Sequence, residues 1–158
     1  MQNKKFSVVA VGGTFDHLHK GHKALLSKTF EVGDQVVIGV TSDEFARKLG
    51  KTLDHDFEMR VNSLKRYLDS AFPGERYEIY PLNDYFGPAI FKVKVEAIVV
   101  SRETLARVTI ANEERKKLGF NSLQTVVVDW VLAEDGQPIS STRIRRGEID
   151  EQGNVVRR

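Results

Sequence analysis

Cysteine is missing from this 158-residue chain. Disulfides, thiolate zinc sites, iron–sulfur clusters and cysteine nucleophiles are thereby excluded, and any catalysis has to run on oxygen and nitrogen groups. Proline occurs only four times and tryptophan once, and no Pro/Gly-rich linker or low-complexity stretch divides the chain. Long apolar runs are lacking too, since none approaches the roughly 18 continuous apolar residues of a membrane helix. The amino terminus starts basic, but its apolar stretch is short and runs into Gly12-Gly13, unlike a signal peptide. Charge of one sign is also scarce. With 24 Lys and Arg against 22 Asp and Glu, the net charge is +2, too small an excess to mark a nucleic-acid or membrane surface. The expectation is a soluble, cytoplasmic protein without nucleic-acid or membrane partners. What remains, 41% hydrophobic and 29% charged residues, suffices for the core of a single domain over residues 1–158.

Hydrophobic patterning predicts alternating strands and helices. Phe6 to Val11 is a short β-branched run ended by Gly12-Gly13, the signature of a strand buried on both faces. Ala24, Leu25, Leu26 and Phe30 then fall at helical spacing, with Gly33-Asp34 as the stop. Gln35 to Val40 repeats the strand pattern, and Phe57, Val61, Leu64 and Leu68 define a second helix. Strands follow at Arg76 to Tyr80, Ala97 to Ser101 and Gln124 to Leu132, with a helix over Leu105 to Leu118. Such alternation implies right-handed βαβ crossovers and a mainly parallel five-stranded sheet with helices on both faces, an α/β fold. Ligands of such folds bind at the carboxyl ends of the strands. Asn83 to Lys94 reads as a surface loop, and the polar stretch from Asp150 to Arg158 as a loose tail.

Chemistry concentrates in two segments. The first, Gly12-Gly13-Thr14-Phe15-Asp16-His17-Leu18-His19-Lys20-Gly21-His22, joins the first strand to the first helix. Paired glycines admit a phosphate close to the backbone, and the helix start offers unpaired N–H groups to an anion. His19 and His22, three apart, can donate to one phosphoryl group. They are expected to face ligand and solvent, so that their removal leaves folding stability little changed. His17, His19 and His22 could instead hold zinc with a water as fourth ligand, but the phosphate reading is preferred and no metal-ligating residue is assigned. Two nucleotide motifs fail on spacing: the glycines do not continue as G-x-G-x-x-G, and Gly50-Lys51-Thr52 lacks a first P-loop glycine because Phe45 stands there.

The second segment, Pro138 to Gly147, follows the last strand. Ser140, Ser141 and Thr142 are suited to cap a helix start that binds phosphate, and Arg143, Arg145 and Arg146 supply fixed positive charge. An ordinary capped basic helix is the alternative. Together the two segments make a polyphosphate site.

These residues resemble a known family. HxGH at His19 to His22 together with ISSTxIR at Ile139 to Arg145 is similar to the nucleotidylyltransferase superfamily. Gly12 to His22, Val100 to Thr104 and Ile139 to Asp150 further resemble the archaeal and eukaryotic type of phosphopantetheine adenylyltransferase. The bacterial type differs in having threonine at the position of His19. The resemblance implies a Rossmann-like nucleotidylyltransferase fold and transfer of the adenylyl group of ATP to 4′-phosphopantetheine, giving dephospho-coenzyme A and pyrophosphate. It also implies Mg²⁺ accompanying ATP. His19, His22 and Lys51 are the implied catalytic residues, with Lys48 as the alternative lysine. Gly13, Thr14, Phe15, His22, Arg102, Ser140, Ser141, Thr142 and Arg143 would bind ATP, and Thr14, Asp16 and Lys51 the acceptor. His17 and His55 have no assigned role, and nothing in the sequence fixes an oligomeric state. A cytidylyltransferase or a flavin-adenylating enzyme shares these motifs, and a non-catalytic nucleotide- or metal-binding module is the alternative from another class.

Overall fold

A computed structural model of the chain describes residues 4–87, 92 and 94–157. Five strands form one parallel sheet in the order β3-β2-β1-β4-β5. They are β1 (Phe6–Gly13), β2 (Gly33–Thr41), β3 (Arg76–Leu82), β4 (Ala97–Ser101) and β5 (Gln124–Val128). The helices are α1 (Lys20–Val32), α2 (Asp43–Lys48), α3 (Phe57–Ala71), α4 (Val108–Lys117) and α5 (Ser141–Arg145), with a 3₁₀ turn at Leu105–Arg107 leading into α4.

Alternation along each strand explains why both faces are covered. Val36, Ile38 and Val40 of β2 pack with Leu26 and Phe30 of α1 and with Leu64 and Leu68 of α3. The residues between and beside them, Ala10, Val37, Ile98 and Val100, meet Val108 and Ala111 of α4 on the opposite face. The chain reverses its direction of winding at β1, since β2 lies on one side of it and β4 on the other. That leaves a crevice beyond the carboxyl ends of β1 and β4, where open parallel sheets bind ligands.

Two expectations are corrected, and one helix is added. The last strand stops at Val128 because its partner β4 ends at Ser101, and Leu132 instead makes an isolated antiparallel bridge to Pro138. Helix α2 was not read from the sequence. Six residues carry too little periodicity to read, although Ser42 Oγ accepts from Phe45 N and the end charges (Asp43 and Glu44 first, Arg47 and Lys48 last) suit the helix dipole. Gly50, at φ 74°, ends this helix in the left-handed region and belongs to no phosphate loop. The tail from Asp150 is tied down over its described residues: Ile149 bridges Val155, Glu134 N donates to Gly153 O, and the Glu134 carboxylate accepts from Val155 N and Arg157. Ala133, Ile139 and Ile149 make a small core beneath that segment. Of the expected loop from Asn83 to Lys94, residues 88–91 and 93 lie outside the described residues. Its start turns on Asp84 Oδ1, which accepts from the N–H groups of Phe86 and Gly87.

Helix α1 passes into β2 without a loop, and this junction requires glycine. A Cβ on Gly33 would stand 1.7 Å from Val9 Cγ2, in the buried centre of the sheet. Gly33→Ala is expected to destabilise the fold by about 1–3 kcal/mol through overpacking, read as a lower urea midpoint with an unchanged slope.

Candidate active site

The turn after β1 is held open by its own side chains. Phe15 is the one non-glycine residue with positive φ (55°) among the described residues, and it turns its ring into the core beside Leu26 and Leu64. The ring fills the space that a side chain on Gly13 would need. Phe15, expected at the nucleotide, is therefore 1% exposed and acts on the loop from below.

His19 caps α1. Its Nδ1 accepts from the backbone N–H of Gly21 at 3.0 Å and of His22 at 3.3 Å, while His19 N donates to His22 Nδ1 at 3.4 Å, closing a reciprocal capping box. The two rings stack with centroids 3.8 Å apart. Burial is the main cause that lowers both imidazoles. His19 falls to about 4, with the charge of His17 adding to the effect, and His22 to about 3, where His19 adds to it and the His17 carbonyl partly offsets it. Both rings are therefore neutral at pH 7. An Nδ1 that accepts leaves the proton on Nε2; His19 Nε2 has no hydrogen-bond partner among the described residues, whereas the His22 ring also meets the His17 carbonyl. The pair thus presents one free N–H donor at His19 and a second, shared with that carbonyl, at His22, neither of them charged.

Asp16 sits behind this turn with its side chain wholly buried. One carboxylate oxygen accepts from His55 N and Nδ1, the other from Asp54 N and from Arg145 NH1 at 3.0 Å. Burial pushes its carboxyl up, but these donors outweigh burial and hold it below the usual carboxylate range. The Asp16–Arg145 contact brings the two sequence motifs together across 129 residues, and Lys20 N adds a bond to Glu151 O.

Lys51, and not Lys48, reaches the turn. Its Nζ donates to Thr14 Oγ1 at 3.3 Å, whereas Lys48 pairs with Glu44 on the exposed side of α2. Burial, then the neighbouring charges of Arg145, Arg107 and Arg60 against that of Glu103, holds the Lys51 ammonium below its usual range. Arg60, nine residues after Lys51, serves in the sequence only to match Lys51 to the family lysine and is given no role of its own there. It is 1% exposed and donates to Thr14 O, His55 O and Asp43 Oδ1, so it joins the segments flanking Lys51. Thr41, at the end of β2, was likewise missed and donates to Gly13 O. Arg107, read only as part of a helix, lies over the Tyr85 ring.

In the second motif, Ser140 Oγ caps α5 by accepting from Arg143 N, with Ser141 and Thr142 opening the helix. Only five residues long, α5 carries a weaker dipole than the expected helix. Arg143 turns to Asp135, Glu148 and the Pro138 carbonyl, and Arg102 pairs with Asp129 at the surface. His17 leaves the other two histidines and meets Asp54 and His55 instead, so the three-histidine zinc site is not assembled.

The capping box corrects the expectation that both histidines leave stability untouched. His19→Ala should cost about 1 kcal/mol, and His19→Asn, which retains an acceptor for the cap, only a few tenths. The depressed pKa values also fix a pH dependence. Below 6.5 the unfolded histidines take up protons that the folded ones refuse until about 4 and about 3, so their contribution is complete above that value and is lost as pH falls. Urea titrations should show stability declining from pH 6.5 towards 4 with a slope approaching two protons, and a flatter decline in the variant carrying both His19→Asn and His22→Asn. Equal slopes would mean that the rings titrate normally.

Comparison with known proteins agrees with this geometry. The family model described as cytidylyltransferase-like matches residues 10–147. The chain is 46% identical to the phosphopantetheine adenylyltransferase of Methanothermobacter thermautotrophicus over 155 residues, covering 98% of this chain and 93% of that one. It is 48% identical to the enzyme of the same name from Methanopyrus kandleri, covering 93% of each. A crystal structure from Archaeoglobus fulgidus described as a protein of unknown function superposes with a TM-score of 0.69 at 34% identity, over 84% of this chain and 98% of that one. The chain belongs to the cytidylyltransferase-like family and, within it, to the phosphopantetheine adenylyltransferases.

Proposed function

We propose that the crevice beyond β1 and β4 transfers the adenylyl group of ATP to 4′-phosphopantetheine, yielding dephospho-coenzyme A and pyrophosphate. The observation that carries this reading is the Asp16–Arg145 contact, which sets the glycine turn, the histidine pair and the ISSTxIR segment around one mouth. An oxygen of the acceptor's phosphate monoester attacks the α-phosphorus, the new P–O bond forms, and the α–β anhydride bond breaks. Such an oxygen is already ionised near neutral pH, so no enzyme base is required, and catalysis rests on positioning and on stabilising charge.

The neutral Nε2–H groups of His19 and His22 supply donors to the α-phosphoryl oxygens without adding charge that would tighten ground-state binding. Lys51, beside Thr14, lies where both substrates' phosphates would meet, and Arg107 and Arg145 add positive potential there. Gly13 and the N-terminus of α1 admit the nucleotide. Ser140 to Thr142 face its β- and γ-phosphates, with Arg102 at the rim. Arg143, committed to Asp135 and Glu148, holds that segment in shape. Asp16 acts on the acceptor side through the loop it anchors. The nucleotide enters as its Mg²⁺ complex, an ion that keeps waters and binds through substrate phosphates, so this mouth needs no carboxylate cage.

A substrate panel tests the assignment: turnover is expected with ATP and 4′-phosphopantetheine, with added Mg²⁺, and to run backwards with pyrophosphate. Turnover confined to CTP or to a flavin acceptor would refute it. His22→Asn keeps an acceptor where Nδ1 stands but removes the Nε2 donor. It should lower turnover about 10²–10³-fold, as loss of an oxyanion donor does, while ATP affinity stays within a few-fold. Near-normal turnover in this variant would exclude the proposed role of the pair.

A further inference from the structure

Behind the mouth lies a second cluster of ligand-type atoms. Asp16, His17 and His55 each place a donor atom within 4.8 Å of the others, the one such group among the described residues. The two rings stand with centroids 5.0 Å apart. Asp54 closes the open side, with Oδ2 at 2.7 Å from His17 Nε2. On the far side of the His17 ring, Nδ1 is 3.6 Å from Glu151 Oε1. A histidine with one nitrogen turned inward and the other facing a carboxylate has the arrangement that orients imidazoles towards metals.

We propose that Asp16, His17 and His55, completed by Asp54, bind one zinc-type divalent ion that locks the turn after β1 to the segment preceding α3. Two imidazole nitrogens and two carboxylate oxygens suit zinc in a tetrahedral site, and the nitrogens disfavour magnesium or calcium. The Asp16 carboxylate has room for the ion. Of its four lone-pair directions, His55 N, Asp54 N and Arg145 retain three, and the ion takes the one now facing His55 Nδ1. For the ion to bind there, the His55 proton moves to Nε2 and the contact of Nδ1 with the Asp16 carbonyl at 2.8 Å is given up. Asp16, Asp54 and Glu151 against the single guanidinium of Arg145 leave an excess of negative charge, which favours a divalent cation. The burial gradient provides an entry path, from the fully covered Asp16 side chain to the half-exposed Asp54.

Calorimetric titration of the chelator-treated full chain with zinc chloride, without nucleotide, tests the site. One ion per chain is expected, with a thermal midpoint that rises with zinc concentration. His17→Ala and His55→Ala should each weaken binding more than about 100-fold, and Glu151→Gln about tenfold. His22→Ala should bind zinc as the unaltered chain does. Circular dichroism on each variant confirms folding, and His55→Gln replaces the alanine variant if that one fails. Absence of saturable binding would overturn the proposal. So would binding lost in His22→Ala but retained in His55→Ala or His55→Gln, or an affinity unchanged in all the variants.

Discussion

A buried carboxylate organises the site. Removing Asp16 from water is costly unless every lone pair is answered, and the answers come from two other parts of the chain: residues 54–55, through their backbone N–H groups and the His55 ring, and Arg145 on α5. Meeting that requirement obliges the turn after β1, the segment before α3 and the carboxyl-terminal motif to assemble together. Arg60 imposes the complementary demand, because its buried guanidinium has to find acceptors and takes the carbonyls of Thr14 and His55 with the carboxylate of Asp43. A negative and a positive buried group thus share the same backbone segments. The geometry around Lys51 is in this sense a by-product of satisfying two buried charges.

The helix pair His19 and His22 shows how capping and reactivity can use different atoms of one residue. Nδ1 serves the helix and Nε2 is left for a ligand. Because capping fixes the tautomer, donor direction does not depend on a bound substrate to set it. Neutrality follows from burial and from neighbouring imidazoles, since a charge on either ring would be poorly solvated and close to another histidine, His17 for His19 and both of these for His22.

Most of the fold was legible because β1, β2 and β4 carry β-branched apolar runs, β3 alternates, and the helices after β1 and before β3 repeat their apolar residues at a 3.6 period. Where the pattern was shorter than one or two turns, as in α2, periodicity had nothing to act on. The end of β5 was illegible for another reason: Val131 and Leu132 continue the apolar pattern, but only the length of β4 decides where pairing ends. In the site, glycines, histidines and hydroxyl-arginine runs were visible as chemistry. What the sequence could not convey was partnership. Arg143 and Arg145 look equivalent in a string, yet one is spent on Asp135 and Glu148 and the other on Asp16. His17 looked like the third member of a histidine triad until the fold placed it beside His55, 38 residues away in sequence.

The inward ring of Phe15 also couples the loop to the core in time. Loops at active sites commonly open at little cost, exchanging their amides independently of the rest of the molecule. Here the turn from Gly13 to His22 cannot lift from the sheet without withdrawing a phenyl ring from among Leu26, Leu64 and Leu68, and exposing such a ring costs on the order of 1.5–3 kcal/mol before any hydrogen bond is broken. Excursions of the phosphate-facing backbone are therefore rarer than those of an ordinary surface turn. Its amides are expected to share the slow exchange of the hydrophobic interior, which would give substrates a preset surface in place of one that has to be reassembled at every turnover.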